Sequence, residues 1–245
     1  MALPTTHAIA RGVGKFRSSR VLGLTGAFIL VYAAWTASLN TVVARLRATD
    51  GLGITYGVTL PVSGPQATGV LAASTVVGAA VLVLLVRSFA RDTAVLGGGG
   101  GAVDTLVAVA RGVTVVVLGT LGALVGFGLL LFPGVVVLAH LPLALVAVAA
   151  DDASLSRGVA LAWTRADGHR FRLGGLVLGV VVLVGGIGVV GATTTLVPTV
   201  VEFALGVLLT GTILVAGVAV STTFARGLDK PAPSRPAPRS DSRAL

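Results

Sequence analysis

The chain has 245 residues, of which 55% are hydrophobic and 11% charged, and its net charge is +9 at pH 7. A soluble domain is normally about one quarter charged, so this composition, with a mean hydropathy of +0.99, excludes an ordinary water-soluble globular protein. The absence of cysteine excludes disulfides, thiolate metal sites and cysteine nucleophiles. The basic residues lie between apolar runs, so the expected partners are the lipid bilayer and its anionic head groups, and not nucleic acid.

The N-terminal part of the chain predicts two membrane spans. Residues 1–20 carry four basic residues and no acidic one, and an apolar run follows over 21–41. That run has about the 20 residues that a helix needs to cross a bilayer. A cleavable signal peptide is the competing interpretation, but the basic region and the apolar core are longer than is usual for one. A polar connection, 45–66, ends in a Gly-Pro turn, and the second span covers 67–86.

A run of five glycines, 97–101, precedes the next two spans. A phosphate-binding loop would need a strand before these glycines and Lys-Ser or Lys-Thr after them, so we interpret the run as a linker. The third span, 104–131, begins amphipathic and becomes wholly apolar. Pro133-Gly134 is predicted to break it in a tight hairpin, and the fourth span covers 135–150.

The C-terminal part predicts two further spans, 173–192 and 200–222, with a short turn between them. The remainder is too rich in Pro, Ser and Arg to bury a core, so 225–245 is predicted to be a disordered basic cytoplasmic tail. The fold class is therefore all-α integral membrane. A basic cytoplasmic segment, 1–20, is followed by one membrane domain of six transmembrane helices, 21–224, and by this tail.

The positive charges predict the orientation of the chain. If the N-terminus is cytoplasmic, six spans leave both tails and the segments 87–111 and 151–172 on the inner side. These regions hold every Lys and Arg except Arg45 and Arg47. Because basic residues concentrate on the cytoplasmic side of membrane proteins, we expect both termini in the cytoplasm and a multi-pass location in the plasma membrane.

A short motif recurs before three of the predicted spans. It is Ala-Arg-Gly-Val at 10–13 and 110–113 and Ser-Arg-Gly-Val at 156–159. Chance is an alternative explanation in a chain so rich in Ala, Gly and Val, but the motif occupies the same topological position each time. We therefore predict a threefold repeat of a unit made of one short amphipathic segment, one helix out and one helix back.

The third copy of this unit predicts an interfacial amphipathic helix over 153–166. Asp151, Asp152 and Ser154 suit its N-terminus through capping and the helix dipole, and Gly168 suits its end. An apolar face with a Trp and flanking arginines is typical of a helix on the membrane surface. A cytoplasmic loop helix packed on its neighbours is the alternative. The residues that define the predicted helix are Leu155, Arg157, Val159, Trp163 and Arg165.

The order of residues between 103 and 192 also resembles a known membrane domain. The segments that carry the resemblance are Phe132-Pro133-Gly134, His140-Leu141-Pro142, 154–159, Trp163-Thr164-Arg165, Gly168, Arg170 and Phe171. They resemble the multi-spanning membrane domain found beside some bacterial glycerophosphoryl diester phosphodiesterases and in multi-pass proteins of bacteria and archaea. The composition fits a haloarchaeal or actinobacterial member. The resemblance implies a helical membrane fold and no catalysis, since the family's phosphodiesterase chemistry belongs to a separate soluble barrel of acidic metal ligands and histidines.

Few polar groups fall at membrane depth, and they define the candidate site. His140 lies about 10 Å beyond Pro133 along the fourth span, and Glu202 lies near the outer end of the sixth. An ionisable group inside a bilayer is a functional hypothesis by default, so these two residues and Asn40 could line a transport cavity. The favoured alternative is that His140 is hydrogen-bonded within the bundle and that Glu202 reaches the outer head groups.

No catalytic, cofactor or metal site is predicted. The three histidines lie in different topological places, and the Asp151-Asp152 pair, which could in principle serve a metal or acid/base chemistry, is accounted for by helix capping. Pairs of glycines four residues apart, at 122 and 126 and at 175 and 179, predict close helix packing and dimerisation.

From these features we expect a non-enzymatic membrane scaffold or an accessory, permease-like component. A small-molecule transporter with a site near His140, Asn40 and Glu202 is the alternative from a different class, and a lipid-modifying membrane enzyme is the third. A homo-oligomer or an association with a membrane partner is also expected.

Overall fold

The computed structural model is all-helical. It describes residues 14, 16, 18–46, 57–91, 102–129, 131–168 and 198–228, together with positions 173–175, 177–180, 182–183 and 186. The helices are α1 (Ser19–Leu46), α2 (Gly64–Arg91), α3 (Ala102–Leu129), α4 (Leu131–Ala150), α5 (Leu155–Ala166) and α6 (Thr199–Leu228).

Five of these helices, all except α5, are long and apolar enough to cross a membrane. The 28 residues of α1 extend about 42 Å, against about 30 Å of hydrocarbon in a bilayer. The prediction of a multi-spanning helical membrane protein is thereby confirmed. The remaining predicted span, 173–192, lies only in part within the described residues, where its described positions between 173 and 186 are helical. Residues 225–228 of the predicted tail, 225–245, form the end of α6, so this helix extends further than predicted. The rest of the tail and most of 1–20 lie outside the described residues.

The boundary between α3 and α4 falls earlier than predicted. Helix α3 ends at Leu129 and α4 begins at Leu131, so Pro133 and Gly134 lie in the first turn of α4. Proline is tolerated there because the first amides of a helix have no intrahelical carbonyl partner. The prediction of a hairpin tip at Pro133-Gly134 is therefore wrong by about one turn.

Helix α4 is the central helix of the bundle. Residues 143–149 are all buried, and all of them except Ala147 belong to a core that α2, α3, α5 and α6 complete. Half of the most apolar window of α4 is buried, against 22–33% in the other four helices that could cross a membrane. The end of α4 is consequently the point around which the other helices are arranged.

Glycines bring α3 and α4 into direct backbone contact. A Cβ atom added at Gly126 would lie 2.6 Å from the backbone nitrogen of Gly134, and one at Gly119 would overlap the Leu141 side chain. A Cβ at Gly122 would be at an ordinary distance, 3.7 Å from Val137. The four-residue spacing of the glycines predicts the close contact at Gly126. It does not predict the contact at Gly119, which lies seven residues, or two helical turns, before Gly126.

The second predicted pair of glycines makes no such contact within the described residues. A Cβ at Gly175 or Gly179 would meet no heavy atom within 4 Å. Close packing of these two glycines on another helix, or between two copies of the chain, therefore stays a prediction.

The two ends of the bundle differ in the helix ends, loops and charged residues that they contain. At one end, called the arginine end, α2, α4 and α6 finish and Arg87, Arg165 and Arg226 contact the loop after α4. At the other, called the loop end, α1 finishes and residues 57–63 lead into α2. Helix α6 begins at the loop end, since a Cβ at Gly57 would lie 2.8 Å from Thr199 Cγ2. Segment 167–198 thus connects the arginine end to the loop end.

Candidate functional site

The loop after α4 places a buried carboxylate between two helices. Asp151 Oδ2 accepts a hydrogen bond of 2.8 Å from Arg165 Nη2 on α5, and Asp151 Oδ1 lies 3.1 Å from Arg226 Nη1 on α6. The side chain of Asp151 is 20% exposed, and that of Arg165 is 11% exposed. Ion pairs so far removed from water are screened little by salt, so this carboxylate fixes α5 and α6 to the end of α4.

Arg87 makes the corresponding connection from α2. Its Nε donates to the carbonyl of Ala149 at 2.8 Å, its Nη1 to Thr105 Oγ1 at 3.0 Å, and its Nη2 to the carboxylate of Asp152. The guanidinium group presents its donors in a rigid fork, which suits a side chain that has to bind several acceptors at once. One arginine therefore joins α2, α3, α4 and the following loop.

Two further arginines stand at the open side of this cluster. Arg111 Nη1 donates to the backbone carbonyl of Asp152 at 3.3 Å. Arg157 is exposed and makes no hydrogen bond or ion pair with any residue that the structure describes. The backbone of Asp152 has a φ of 51°, a left-handed conformation that Asp adopts more readily than most residues.

A cavity of about 520 Å³ lies between these groups. The residues that define it are Arg111, Asp151, Asp152, Arg157, Leu161 and Arg165. Its volume is in the range of small-molecule sites, roughly 300–1,000 Å³. Counting Arg87 and Arg226, which reach the same two aspartates, five arginines face two carboxylates, so the described cluster is positively charged.

The aspartates do not act as helix caps, which corrects the sequence interpretation. The N-cap of α5 is Ser154, and its side chain makes no capping hydrogen bond. Asp151 and Asp152 bind arginines instead because a guanidinium group offers a charged donor that a backbone amide does not. The predicted end of the helix is correct, since Gly168 has a φ of 72° directly after the C-cap Asp167.

Two copies of the recurring motif meet at this cavity. Arg111 and Arg157 both line it. The glycine that follows each arginine packs on a valine, Gly112 on Val83 and Gly158 on Val148. The copy at 110–113 lies inside the continuous helix α3 and not in a separate amphipathic helix, and the copy at 10–13 lies outside the described residues. The threefold repeat stays a prediction.

A second cavity, of about 300 Å³, lies on the other flank of α5 and is apolar. The His140 and Trp163 rings stack across it with centroids 4.2 Å apart. The Nδ1 atom of His140 is 2.8 Å from the carbonyl of Val136, so Nδ1 carries the hydrogen and donates to it. The buried Nε2 is then an acceptor, and it has no hydrogen-bond partner in the described part of the chain.

Helix α5 lies between the two cavities, and different faces of the helix line each one. Arg157, Leu161 and Arg165, at successive intervals of four, face the charged cavity. Leu155, Val159 and Trp163 follow the same interval on another face and line the apolar cavity. Between these stripes the buried small residues Gly158, Ala162 and Ala166 lie against the core. The amphipathic spacing predicts this division, while the position of α5 at a membrane surface stays a prediction.

The structure places the other two candidate residues away from His140. Asn40 Nδ2 donates to the carbonyl of Val58 at 3.1 Å, at the loop end. Glu202 is in the first turn of α6, which also begins at the loop end. His140 lies about 15 Å along α4 from Ala150, beside Trp163 on α5. No hydrogen bond between described residues joins these three side chains.

The cluster was not found from the sequence. Arg87, Arg111 and Arg226 are separated by long apolar segments. In the sequence they indicate the orientation of the chain, and Arg111 also belongs to the recurring motif, but nothing there joins them. Their one local signal is that each stands within or at the end of an apolar run, where an unpaired charge would be unfavourable. That signal indicates that each arginine has a partner in the fold, but it does not identify the partner residue.

Comparison of the chain with protein families, with curated proteins and with solved structures found no match. The resemblance to the membrane domain beside the phosphodiesterases therefore stays a prediction. Among the described residues, no group of three or more His, Cys, Asp or Glu side chains could hold a metal ion.

Proposed function

We propose that this protein is a non-enzymatic membrane scaffold or an accessory, permease-like component. The observation that carries the proposal is the Arg–Asp cluster at the arginine end. Through Asp151, Asp152 and the arginines that bind them, it connects α2, α3, α4, α5 and α6. A fixed charged platform of this kind suits a protein that holds other components in place at the membrane.

The same connections are unfavourable for alternating access. Many transporters work by rocking one group of helices against another around a central site. Such a motion of α5 or α6 against α4 would separate partly buried arginines from Asp151, and removal of one partner from a pair with little access to water is unfavourable. This supports the scaffold over the transporter.

The proposed topology has six crossings, with both termini in the cytoplasm of a cell and the membrane domain in its plasma membrane. Two observations support it. Segment 167–198 has to travel from the arginine end to the loop end, and its described residues between 173 and 186 are helical. The arginine end holds Arg87, Arg111, Arg165 and Arg226, and concentrated basic residues favour the cytoplasmic side.

A small-molecule transporter is the second candidate because of His140. Its Nε2 is buried and has no partner among the described residues, which is unfavourable unless a ligand or a rearrangement supplies a donor. A solute with a hydroxyl or amide hydrogen could supply one in the apolar cavity.

Reconstitution distinguishes the two candidates. Purified wild-type protein and the His140→Ala variant are placed in liposomes, and the uptake of radiolabelled amino acids, sugars, phosphate and sodium is measured. The scaffold predicts uptake equal to that of empty liposomes for both proteins. In native membranes solubilised in mild detergent, it also predicts a second protein at a fixed ratio by native mass spectrometry. Uptake by the wild type that disappears in His140→Ala, with unchanged elution of the variant, would overturn it.

A further inference from the structure

We infer that the cavity between α3 and α5 binds the phosphate group of an anionic membrane lipid, with one acyl chain of that lipid in the apolar cavity on the other flank of α5. This goes beyond the scaffold role and does not depend on it.

The charged cavity has the donors that a phosphate needs. Three of the residues that line it are arginines, Arg111, Arg157 and Arg165. A guanidinium group can bind two phosphate oxygens at once through parallel hydrogen bonds. The two aspartates in the cavity are already bound by arginines, including Arg87 and Arg226, which approach them from α2 and α6. The carboxylates therefore offer an incoming anion little net repulsion.

Two of these arginines have donors to spare. Arg157 is exposed and is bound by none of the described residues. The hydrogen bond that Arg111 makes, from Nη1 to the carbonyl of Asp152, is long at 3.3 Å and leaves the rest of its guanidinium group open to the cavity. Positively charged groups facing an open cavity without a matching carboxylate indicate an anionic ligand.

The apolar cavity indicates that this anion carries a hydrocarbon chain. On α3, Arg111 lines the charged cavity and Val115 and Leu118, four and seven residues later, line the apolar one. Residues at these intervals lie on one face of a helix, so both cavities border the same face of α3, about 10 Å apart along its axis. A lipid places its phosphate and its chain in the same order, from the membrane surface inward.

The apolar cavity also opens where lipid would surround the protein. Leu118 is 56% exposed, Val159 45% and Trp163 44%, and all three line it. These exposed side chains are apolar and belong to a helical membrane protein, so the acyl chains of the bilayer are the expected neighbours of this face. A lipid can therefore enter the site sideways from the bilayer.

The test is native mass spectrometry of the full-length protein released from a neutral detergent. Phosphatidylglycerol is titrated against the protein, and phosphatidylcholine, glycerol 3-phosphate and inorganic phosphate are titrated separately. We expect one molecule of phosphatidylglycerol to be retained at least tenfold more tightly than phosphatidylcholine. Glycerol 3-phosphate and inorganic phosphate should bind more weakly than phosphatidylglycerol, because they lack the chain.

Variants separate the two parts of the site. Arg157→Gln removes an exposed guanidinium group that no described residue binds, so the variant should fold, and it should weaken phosphatidylglycerol binding roughly tenfold or more. Trp163→Ala should weaken binding of long-chain phosphatidylglycerol more than that of a short-chain analogue. The matched control is Arg20→Gln, an exposed arginine near the start of α1 that does not line the cavity, and it should bind as the wild type does.

Three results would overturn the inference. Equal retention of phosphatidylglycerol and phosphatidylcholine would show that the cavity does not select an anionic lipid. Equal losses of phosphatidylglycerol binding in Arg157→Gln and Arg20→Gln would show that the lipid is attracted only by the total charge of the protein. Inorganic phosphate bound as tightly as the lipid would show a site for free phosphate and no role for the apolar cavity. Each of these leaves the scaffold proposal untouched, because none measures solute uptake or a partner protein.

Discussion

The arginine end and the loop end of the bundle are held together by different interactions. At the arginine end, the hydrogen bonds of Arg87 and Arg226 connect pairs of residues that are separated in the sequence by 62, 65 and 76 positions. At the loop end, the bonds of Asn40, Thr41 and Arg45 join α1 to a loop only 17–19 positions away. Charge fixes the position of distant helices at one end, whereas the other end depends on short-range hydrogen bonds and on the close packing of α3 against α4.

This difference predicts where the bundle is most sensitive to substitution. Breaking a buried ion pair by removing one partner leaves an uncompensated charge and costs about 3–5 kcal/mol. Losing a neutral hydrogen bond costs about 0.5–1.5 kcal/mol. The three substitutions below test this contrast in decreasing order of expected effect.

The largest effect is expected for Asp151→Asn. The amide has the shape of the carboxylate but no charge, so Arg165 and Arg226 would lose the anion between them. We expect the free energy of unfolding to fall by about 3 kcal/mol, measured by titration with sodium dodecyl sulfate in mixed micelles. The control is Asp152→Asn, whose side chain is 65% exposed and should lose no more than about 1 kcal/mol. Equal losses in the two variants would contradict the importance of burial.

An intermediate effect is expected for Gly126→Ala, near the loop end. The new methyl group would lie 2.6 Å from the Gly134 backbone nitrogen, and a backbone atom cannot move aside as a side chain can. We expect a loss of about 1–3 kcal/mol in the same titration. Gly128→Ala on the same helix meets no atom within 4 Å and should be neutral or stabilising by up to about 1 kcal/mol. A neutral Gly126→Ala would show that α3 and α4 are not in backbone contact.

The smallest effect is expected for Asn40→Ala. This variant loses the hydrogen bond of 3.1 Å to the carbonyl of Val58, and that carbonyl belongs to a loop that water can reach. We expect a loss of about 1 kcal/mol. The same variant should leave the binding of phosphatidylglycerol unchanged, because Asn40 lies at the end opposite to the arginines. A loss as large as that of Asp151→Asn would remove the proposed contrast between the two ends.

The sequence predicts the spans because the length of an apolar run is a local property. The end of α5 at Gly168 is predicted for the same reason, since a left-handed residue after a helix strongly favours glycine. The hairpin at Pro133-Gly134 is predicted wrongly because proline is compatible with both a turn and the first turn of a helix. In each of these cases the outcome depends on only a few neighbouring residues.

The charged site could not be predicted in the same way. An aspartate before a helix can accept a hydrogen bond from the helix amides or from an arginine, and the choice depends on what the fold brings near. Asp151 is 75 residues from Arg226 in the sequence, and no pattern in either segment names the other. The division of α5 into two faces was predictable from its spacing, but the cavities beside those faces depend on α3 and α4.

Helix α4 stops at Ala150, while its neighbours continue. Measured along their axes, α2 extends about 6 Å beyond Arg87 and α3 about 13 Å beyond Arg111. The Asp151-Asp152 loop therefore lies in a recess beside the ends of these helices, and the apolar side chains of Ala153 and Leu161 form part of its wall. Walls of low permittivity concentrate the electric field of a charged recess and direct it outward. Mobile counterions weaken such a field less than they weaken one on a flat surface, so the field of this recess keeps much of its strength at physiological ionic strength.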